Sequence, residues 1–387
     1  MKTKTIALLG ATGSVGRQTL EVVQSLGDHF DFSLLSAHQD YENLRLLASS
    51  WPRAQLALTD PCNENTSSGS LIQGYQPIID NILASPPDIL VIASSGLTAY
   101  PVLRDTFHVC SRVAVANKEI LIMAGCTGLL DQIKKATCLM PVDSEHASIH
   151  QLLDGKNINE LKQVFLTASG GPFYSVHPLQ TNLERVSPEQ ALKHPTWKMG
   201  PKVSLDSATM ANKGIEIMEA HYLFDLPPEK IKIRIHPLSL IHAMAEWMDH
   251  TSTLHVAPAD MRICIQYALT WPQRHSSRIA DTLDWEQISS LPFISFDPHS
   301  LEVIQASYLA LDKADQCPWL PLAYLAADEI ALELFLNNNL SFDQIGHWIF
   351  QKIIKIQDVE YLKKLPMNPY TIMGIYKEIV NWIRKGI

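Results

Sequence analysis

The chain has 387 residues, 46% of them hydrophobic and 18% charged, and a net charge of −9. That length suits two or three domains, and the composition is that of a globular protein with ample core material. The acid excess argues against nucleic acid as a partner while leaving room for a local basic pocket, and no apolar run is long enough to span a membrane. The six cysteines (Cys62, Cys110, Cys126, Cys138, Cys264, Cys317) are scattered without a CxxC pair, which reads as reduced thiols of a cytoplasmic protein. The chain enters a strand pattern at once, so no signal or transit peptide is expected.

Up to about residue 149, short apolar runs alternate with helical stretches. Strands are expected at 5–9, 32–37, 55–59, 89–93, 112–116 and 138–142, with amphipathic helices such as 15–26 and 41–49 between them. Near-continuous apolar strands in βα alternation predict an α/β domain with a parallel sheet covered on both faces. Residues 150–283 keep strands at 163–167, 203–205 and 232–235 and add a hairpin over 241–248 and 252–256. They also hold the long irregular run "ERVSPEQALKHPTWKMGPK", in which residues 189–201 are expected to form a flexible flap with Trp197 as its cover. Residues 284–297 read as a linker, and 298–387 as an α-helical bundle with helices at 300–311, 320–337, 342–356 and 371–385.

Chemistry enters at several points along this frame. "ALLGATGSVGRQTLEVV" places Gly10, Gly13 and Gly16 between a strand and a helix, a G-x-x-G-x-x-G variant of the dinucleotide turn that lets a backbone approach a pyrophosphate. Asn117, Lys118 and Glu119 follow a strand directly, where ligands bind in this fold class, although a helix cap explains the tripeptide equally well. In "PVDSEHASIHQ", Asp143 and Glu145 flank Ser144 off a strand end, a spacing that points two carboxylates one way and suits Mg2+ or Mn2+. His146 and His150, four apart on a helix, offer a rival zinc pair, but the order is not H-E-x-x-H. Ser207, Asn212 and Lys213 supply hydroxyl, amide and ammonium donors that suit a phosphate, and Glu216 lies one turn beyond Lys213. Ser169-Gly170-Gly171 is a tight turn with free N–H groups, and His194, His236 and His242 are candidate acid/base groups.

In this order the segments "GATGSVGRQTLEV", "ANKE", "PVDSEHASIHQ", "TASGGPF", "HPTWKMG", "DSATMANKGIE" and "HPLSLIHAM" resemble the 1-deoxy-D-xylulose 5-phosphate reductoisomerases over nearly the whole length. The resemblance implies an N-terminal Rossmann-type NADPH-binding domain, a central α/β catalytic domain that also forms a homodimer, and a C-terminal helical domain. It implies a ketose phosphate substrate, rearranged by retro-aldol cleavage and re-addition and then reduced by hydride to 2-C-methyl-D-erythritol 4-phosphate in the non-mevalonate isoprenoid pathway. Thr12, Gly13, Ser14 and Val15 would hold the cofactor pyrophosphate, and Asn117, Glu119 and Gly200 would also touch NADPH. Asp143, Glu145 and Glu216 would hold Mg2+ or Mn2+. Lys118, Ser144, Glu145, Ser169, His194, Ser207, Asn212, Lys213 and Glu216 would meet the substrate, with Lys118, Glu145, His194, Lys213 and Glu216 as the catalytic group.

The chain departs from the family pattern after the second strand, where it has Ala37-His38-Gln39-Asp40, and at Met261-Arg262-Ile263-Cys264-Ile265. His38, Gln39 and Asp40 are the expected adenosine-ribose contacts. Read from the residues, Asp40 favours the free 2′-hydroxyl of NADH; read from the resemblance, the cofactor is NADPH, and Asp40 instead caps the helix that follows. The competing functions are another NAD(P)-dependent dehydrogenase acting on a small phosphorylated or acidic substrate, and a nucleotide sensor without turnover.

Overall fold

The computed structural model describes residues 3–60, 71–174, 183–193, 200–276, 279–294 and 297–386. In chain order the main elements are β1 (Lys4–Leu9), α1 (Ser14–Leu26), β2 (Phe30–Ala37), α2 (Tyr41–Ala48), β3 (Gln55–Leu58), β4 (Ile72–Gln73), α3 (Tyr75–Ala84), β5 (Ile89–Ile92), α4 (Tyr100–Thr106), β6 (Arg112–Val115), α5 (Lys118–Cys126), α6 (Leu129–Ala136), β7 (Cys138–Pro141) and α7 (Ser144–Leu153). They continue with β8 (Leu161–Ala168), α8 (Gly171–Tyr174), α9 (Pro188–Ala191), α10 (Pro201–Thr209), α11 (Ala211–Phe224), β9 (Ile231–Ile235), β10 (Ile241–Trp247), β11 (Ser252–Val256), α12 (Met261–Thr270), α13 (Glu302–Asp312), α14 (Leu320–Leu336), α15 (Ile345–Ile356) and α16 (Ile372–Lys385). By compactness they form two units: residues 1–120, 129–147 and 260–282, and residues 121–128, 148–259 and 283–387.

The first unit is built on a seven-stranded sheet in the order β4-β3-β2-β1-β5-β6-β7, and every neighbouring pair is parallel. Ile6, Leu8, Leu90, Ile92, Val113 and Val115 are fully buried, which is why these strands read as unbroken apolar runs. Strand order reverses between β1 and β5, and the glycine turn after β1 opens at that point. Residues 260–282, contiguous in sequence with the middle segment, belong to this unit. Cys264, Ile265, Ala268 and Leu269 of α12 join the core that holds Val22, Val23 and Met140. Each large apolar side chain buried there contributes about 1.5–3 kcal/mol. Arg112 then donates to the last carbonyls of the helix at Ala268 (3.1 Å), Leu269 and Trp271, satisfying groups that a helix end leaves open.

The second unit holds a four-stranded sheet in the order β11-β10-β8-β9, with β8–β9 parallel and the other pairs antiparallel. The helices α10, α11 and α13–α16 complete it. α14 is buried over most of its circumference, as the central helix of a bundle must be. The expected strand at 203–205 is instead part of α10. Gly200 and Pro201 begin that helix as N-cap and first residue, and an apolar pair flanking a serine cannot by itself distinguish strand from helix. Met210, with φ +67°, turns the chain from α10 into α11.

Polar contacts among the described residues help tie the bundle to these helices. Lys202 on α10 bridges Asp206 (2.7 Å) and Asp328 on α14 (3.1 Å). Tyr324 on α14 donates its hydroxyl to the Ala211 carbonyl at 3.3 Å, lying over Gly214, where an added Cβ would stand 2.2 Å from the hydroxyl oxygen.

Candidate active site

In the first unit the glycine turn is built by backbone packed on backbone. Gly10 has φ +88°, and a Cβ there would fall 2.7 Å from the Ser94 nitrogen; one on Gly16 would fall 2.1 Å from the Gly10 carbonyl oxygen. Gly13 caps α1 with no side chain over the first-turn N–H groups, and Gly13 and Ser14 are exposed while Thr12 and Val15 are half-buried. A bare, positively polarised helix start beside a backbone with no side chains in the way fits a pyrophosphate.

Beyond β2, Asp40 is the N-cap of α2: it accepts from the Asn43 N–H at 3.2 Å and from the Asn43 side-chain amide at 2.7 Å. Gln39 donates to Asp60 at 2.6 Å, and His38 lies 3.1 Å from the Thr59 hydroxyl and 3.9 Å from Asp60. Asp60, at the end of the apolar run of β3, is a residue that reading the sequence missed. The run "QLALTD" signals a strand-end acid, but its hydrogen-bond partner Gln39 lies just past the end of the neighbouring strand β2, 21 residues away in the chain.

At the carboxyl ends of β6 and β7 the donors converge. Asn117 is buried, and its amide donates to the Ser94 and Gly96 carbonyls at 2.6 Å each while its oxygen accepts from the Ile120 N–H at 3.0 Å. It therefore both caps α5 and staples two strand-end loops. Lys118 and Glu119 follow in the first turn of α5, half-buried. Lys118 pairs with Asp143. Asp143 and Glu145 do not alternate along an extended strand as expected. Asp143 stands at the start of α7, accepting from the Glu145 N–H at 3.2 Å while its carbonyl takes the Ala147 N–H at 2.8 Å, and Glu145 lies in the first helical turn. The helix starts here because a short acid after a strand satisfies its open N–H groups.

The buried His146 ring donates from Nδ1 to Asp143 at 3.1 Å, and Ser144 donates to Glu145. Burial alone would raise the Asp143 carboxyl; the Lys118 ammonium and His146 overcome this and hold it well below the usual carboxylate range, so it is an anion.

In the second unit, Lys213 and Glu216 lie one turn apart on α11, 4% and 1% exposed. Lys213 donates to Glu216 at 2.5 Å and to the Thr167 carbonyl at 2.6 Å, and Asn212 donates to the other Glu216 oxygen. Ser169 opens the turn of Gly170 (φ +90°) and Gly171 (φ +63°), its hydroxyl accepting from the Gly171 N–H at 3.2 Å. A Cβ on Gly171 would stand 3.0 Å from the Ser207 carbonyl oxygen, so this turn and α10 approach closely. Ser207 is half-buried on α10, and Gly200 is exposed at its start. His242 is buried and donates to the Ala257 carbonyl at 3.1 Å; His236 donates to the Pro292 carbonyl at 2.8 Å, and burial lowers its pKa. His194 and Trp197 lie outside the described residues.

The sheet order and the glycine turn after β1 are those of a dinucleotide-binding α/β protein. Three family models match in succession: 1-deoxy-D-xylulose 5-phosphate reductoisomerase at residues 6–125, its C-terminal domain at 139–224, and the DXP reductoisomerase C-terminal domain at 256–378. The chain belongs to the 1-deoxy-D-xylulose 5-phosphate reductoisomerase family. The enzyme of that name from Caldanaerobacter subterraneus subsp. tengcongensis is 36% identical over 365 residues, 92% of this chain and 94% of the relative. The one from Thermomicrobium roseum is 39% identical over 344 residues, 88% and 87% of the two chains. Among solved structures, the Zymomonas mobilis enzyme in complex with NADPH superposes with a TM-score of 0.84 at 30% identity, covering 98% of each chain. A DOX-P reductoisomerase in complex with NADPH, fosmidomycin and magnesium gives 0.86 at 28% identity, covering 99% and 98%.

Proposed function

We infer that this chain is an NADPH- and divalent-metal-dependent enzyme that rearranges and reduces 1-deoxy-D-xylulose 5-phosphate to 2-C-methyl-D-erythritol 4-phosphate, a step of the non-mevalonate route to isoprenoid precursors. The observation that carries this reading is family membership along almost the whole chain. Residues 1–149, with α12 and its flanks at 260–282 packed into the same core, then form the NADPH domain, 150–259 belong to the catalytic domain, and 298–387 form a helical domain joined through 284–297.

Thr12, Gly13, Ser14 and Val15 hold the cofactor pyrophosphate on the start of α1, with Asn117, Glu119 and Gly200 completing its site. Asp143, Glu145 and Glu216 hold Mg2+ or Mn2+: three carboxylates with no nitrogen or sulfur among them suit a hard cation. When bound, the cation polarises the substrate carbonyl and the nicotinamide supplies the hydride.

The chain's own side chains do the rest. Ser169, Ser207, Asn212 and Lys213 donate to the substrate phosphate, so that binding energy at the far end orients the reacting carbons. Lys118 and Ser144, beside Asp143 and Glu145, donate to the oxygens at the reacting end. Asp143 is kept ionised by Lys118 and His146, which keeps it ready as a ligand at neutral pH. His194 is assigned to the substrate with these groups.

Self-association as a homodimer is supported by the position of β11 as the outer strand of its sheet among the described residues and by the exposed apolar side chains Met248, Leu254 and Trp285. A cytoplasmic location is supported by the free thiols at Cys110, Cys126, Cys138, Cys264 and Cys317. No helix among the described residues is long and apolar enough to cross a membrane.

Product analysis tests the reading. Incubation with 1-deoxy-D-xylulose 5-phosphate, NADPH and Mg2+ yields a branched tetritol phosphate with one NADPH consumed per product. A linear reduction product, its carbon skeleton unchanged, would place the chain with ordinary dehydrogenases.

A further inference from the structure

We propose that Asp60, not Asp40, is the acid that reads the cofactor's adenosine ribose, and that it weakens the preference for the 2′-phosphate. The parallel register of β2 and β3 (Ser36 beside Ala57, Ala37 beside Leu58) continues past both strands, with the Thr59 N–H on the Ala37 carbonyl at 3.0 Å and the Asp60 N–H on the His38 carbonyl at 3.1 Å. This pairing fixes Asp60 next to His38, at the carboxyl end of the sheet where the ribose lies in a dinucleotide fold. Asp40 is turned into the first turn of α2, both of its oxygens engaged by Asn43. The Gln39 amide, the neutral donor best suited to a phosphate in this run, donates instead to the Asp60 carboxylate.

His38-Gln39-Asp40 contains no Lys or Arg, and among the described residues the ion pair of this half-exposed carboxylate is with His38, 3.9 Å from it. A carboxylate at this position accepts a hydrogen bond from a free 2′-hydroxyl and repels a 2′-phosphate. The enzyme therefore uses NADPH with a narrow margin over NADH, and Asp60 sets that margin. The inference rests on the cofactor reading above and assigns its specificity to one residue.

Equilibrium binding of NADPH and NADH, followed by nicotinamide fluorescence without substrate, tests it on the full chain. Asp60→Asn keeps an acceptor for Gln39 and removes the charge; it should raise the NADPH-over-NADH affinity ratio about tenfold, the scale of one unit charge at close range in a largely solvated site. Asp40→Ala, which loses the α2 cap, should leave the ratio within about twofold of wild type. A ratio unchanged in Asp60→Asn, or one moved mainly by Asp40→Ala, overturns the proposal. Failure of the wild-type chain to bind either nucleotide would instead reject the cofactor reading beneath it.

Discussion

Lys213 and Glu216 form an ion pair buried on α11, with the ammonium held between the carboxylate and the Thr167 carbonyl. Two charges so far from water are tolerated because each has its partner and further hydrogen bonds. Lys213→Met removes the ammonium that faces Glu216, leaving a buried carboxylate without its counter-charge, and should cost about 3–5 kcal/mol of unfolding free energy. Adding Glu216→Gln to that variant removes the stranded charge and should recover a large part of the loss. Urea unfolding in the presence of a chelator measures both. Equal stability of the single variant and wild type would mean that the pair is solvated.

Gly214 and Tyr324 make a second, purely steric relationship. Gly214→Ala places a methyl against the Tyr324 hydroxyl and ring edge, at 2.2 and 2.9 Å before relaxation. Overpacking of this kind costs typically 1–3 kcal/mol. Because α11 also carries Asn212, Lys213 and Glu216, a fall in kcat should accompany the loss of stability. Tyr324→Phe, which removes the hydroxyl, should restore part of both. No rescue by the second change would show that the Ala clash is absorbed elsewhere.

Asp260 governs a pH dependence through the cap of α12. It caps α12, accepting from the Arg262 N–H at 2.9 Å and from the Arg262 guanidinium. Burial raises its carboxyl, but the hydrogen bonds and charge of Arg262 prevail and lower it below the ordinary value. The folded pKa thus lies below the unfolded one. The stabilisation is complete above about pH 4 and is lost as pH falls through the folded value. Asp260→Asn should therefore be less stable than wild type by up to about 1 kcal/mol at pH 7, the gap closing on acidification below about pH 4. Thermal melts across pH 3–7 measure the gap; one that stays constant would rule out an ionised cap.

Much of this was legible in the sequence, for identifiable reasons. The central parallel strands are buried on both faces, so β5 and the later part of β1 are bare apolar runs, and Gly10, Gly13 and Gly16 mark the turn because no larger residue fits at least two of those positions. The cap at Asp40 followed from a short acid before an amphipathic stretch. What stayed hidden depended on tertiary partners. β4 is two residues long and exists only by pairing with β3. The start of α7 at Asp143 was obscured because the strand before it ends only two residues earlier. α12 follows the second unit's hairpin in sequence, yet its apolar face matches the core of the first. Asp60 became visible only once β2 and β3 were in register.

Asp143, Glu145 and Glu216 are the proposed ligands of the cation on which turnover depends. This assignment is tested most directly by following NADPH oxidation with 1-deoxy-D-xylulose 5-phosphate in EDTA and after Mg2+ is restored, for wild type, Asp143→Asn and Glu216→Gln. Wild-type activity should vanish in the chelator and return with Mg2+, while both variants should stay below about a tenth of the wild-type rate at saturating metal, a loss above about 1.4 kcal/mol in the barrier, and still bind NADPH. Wild-type turnover that survives the chelator, or either variant above that rate, would contradict the assignment.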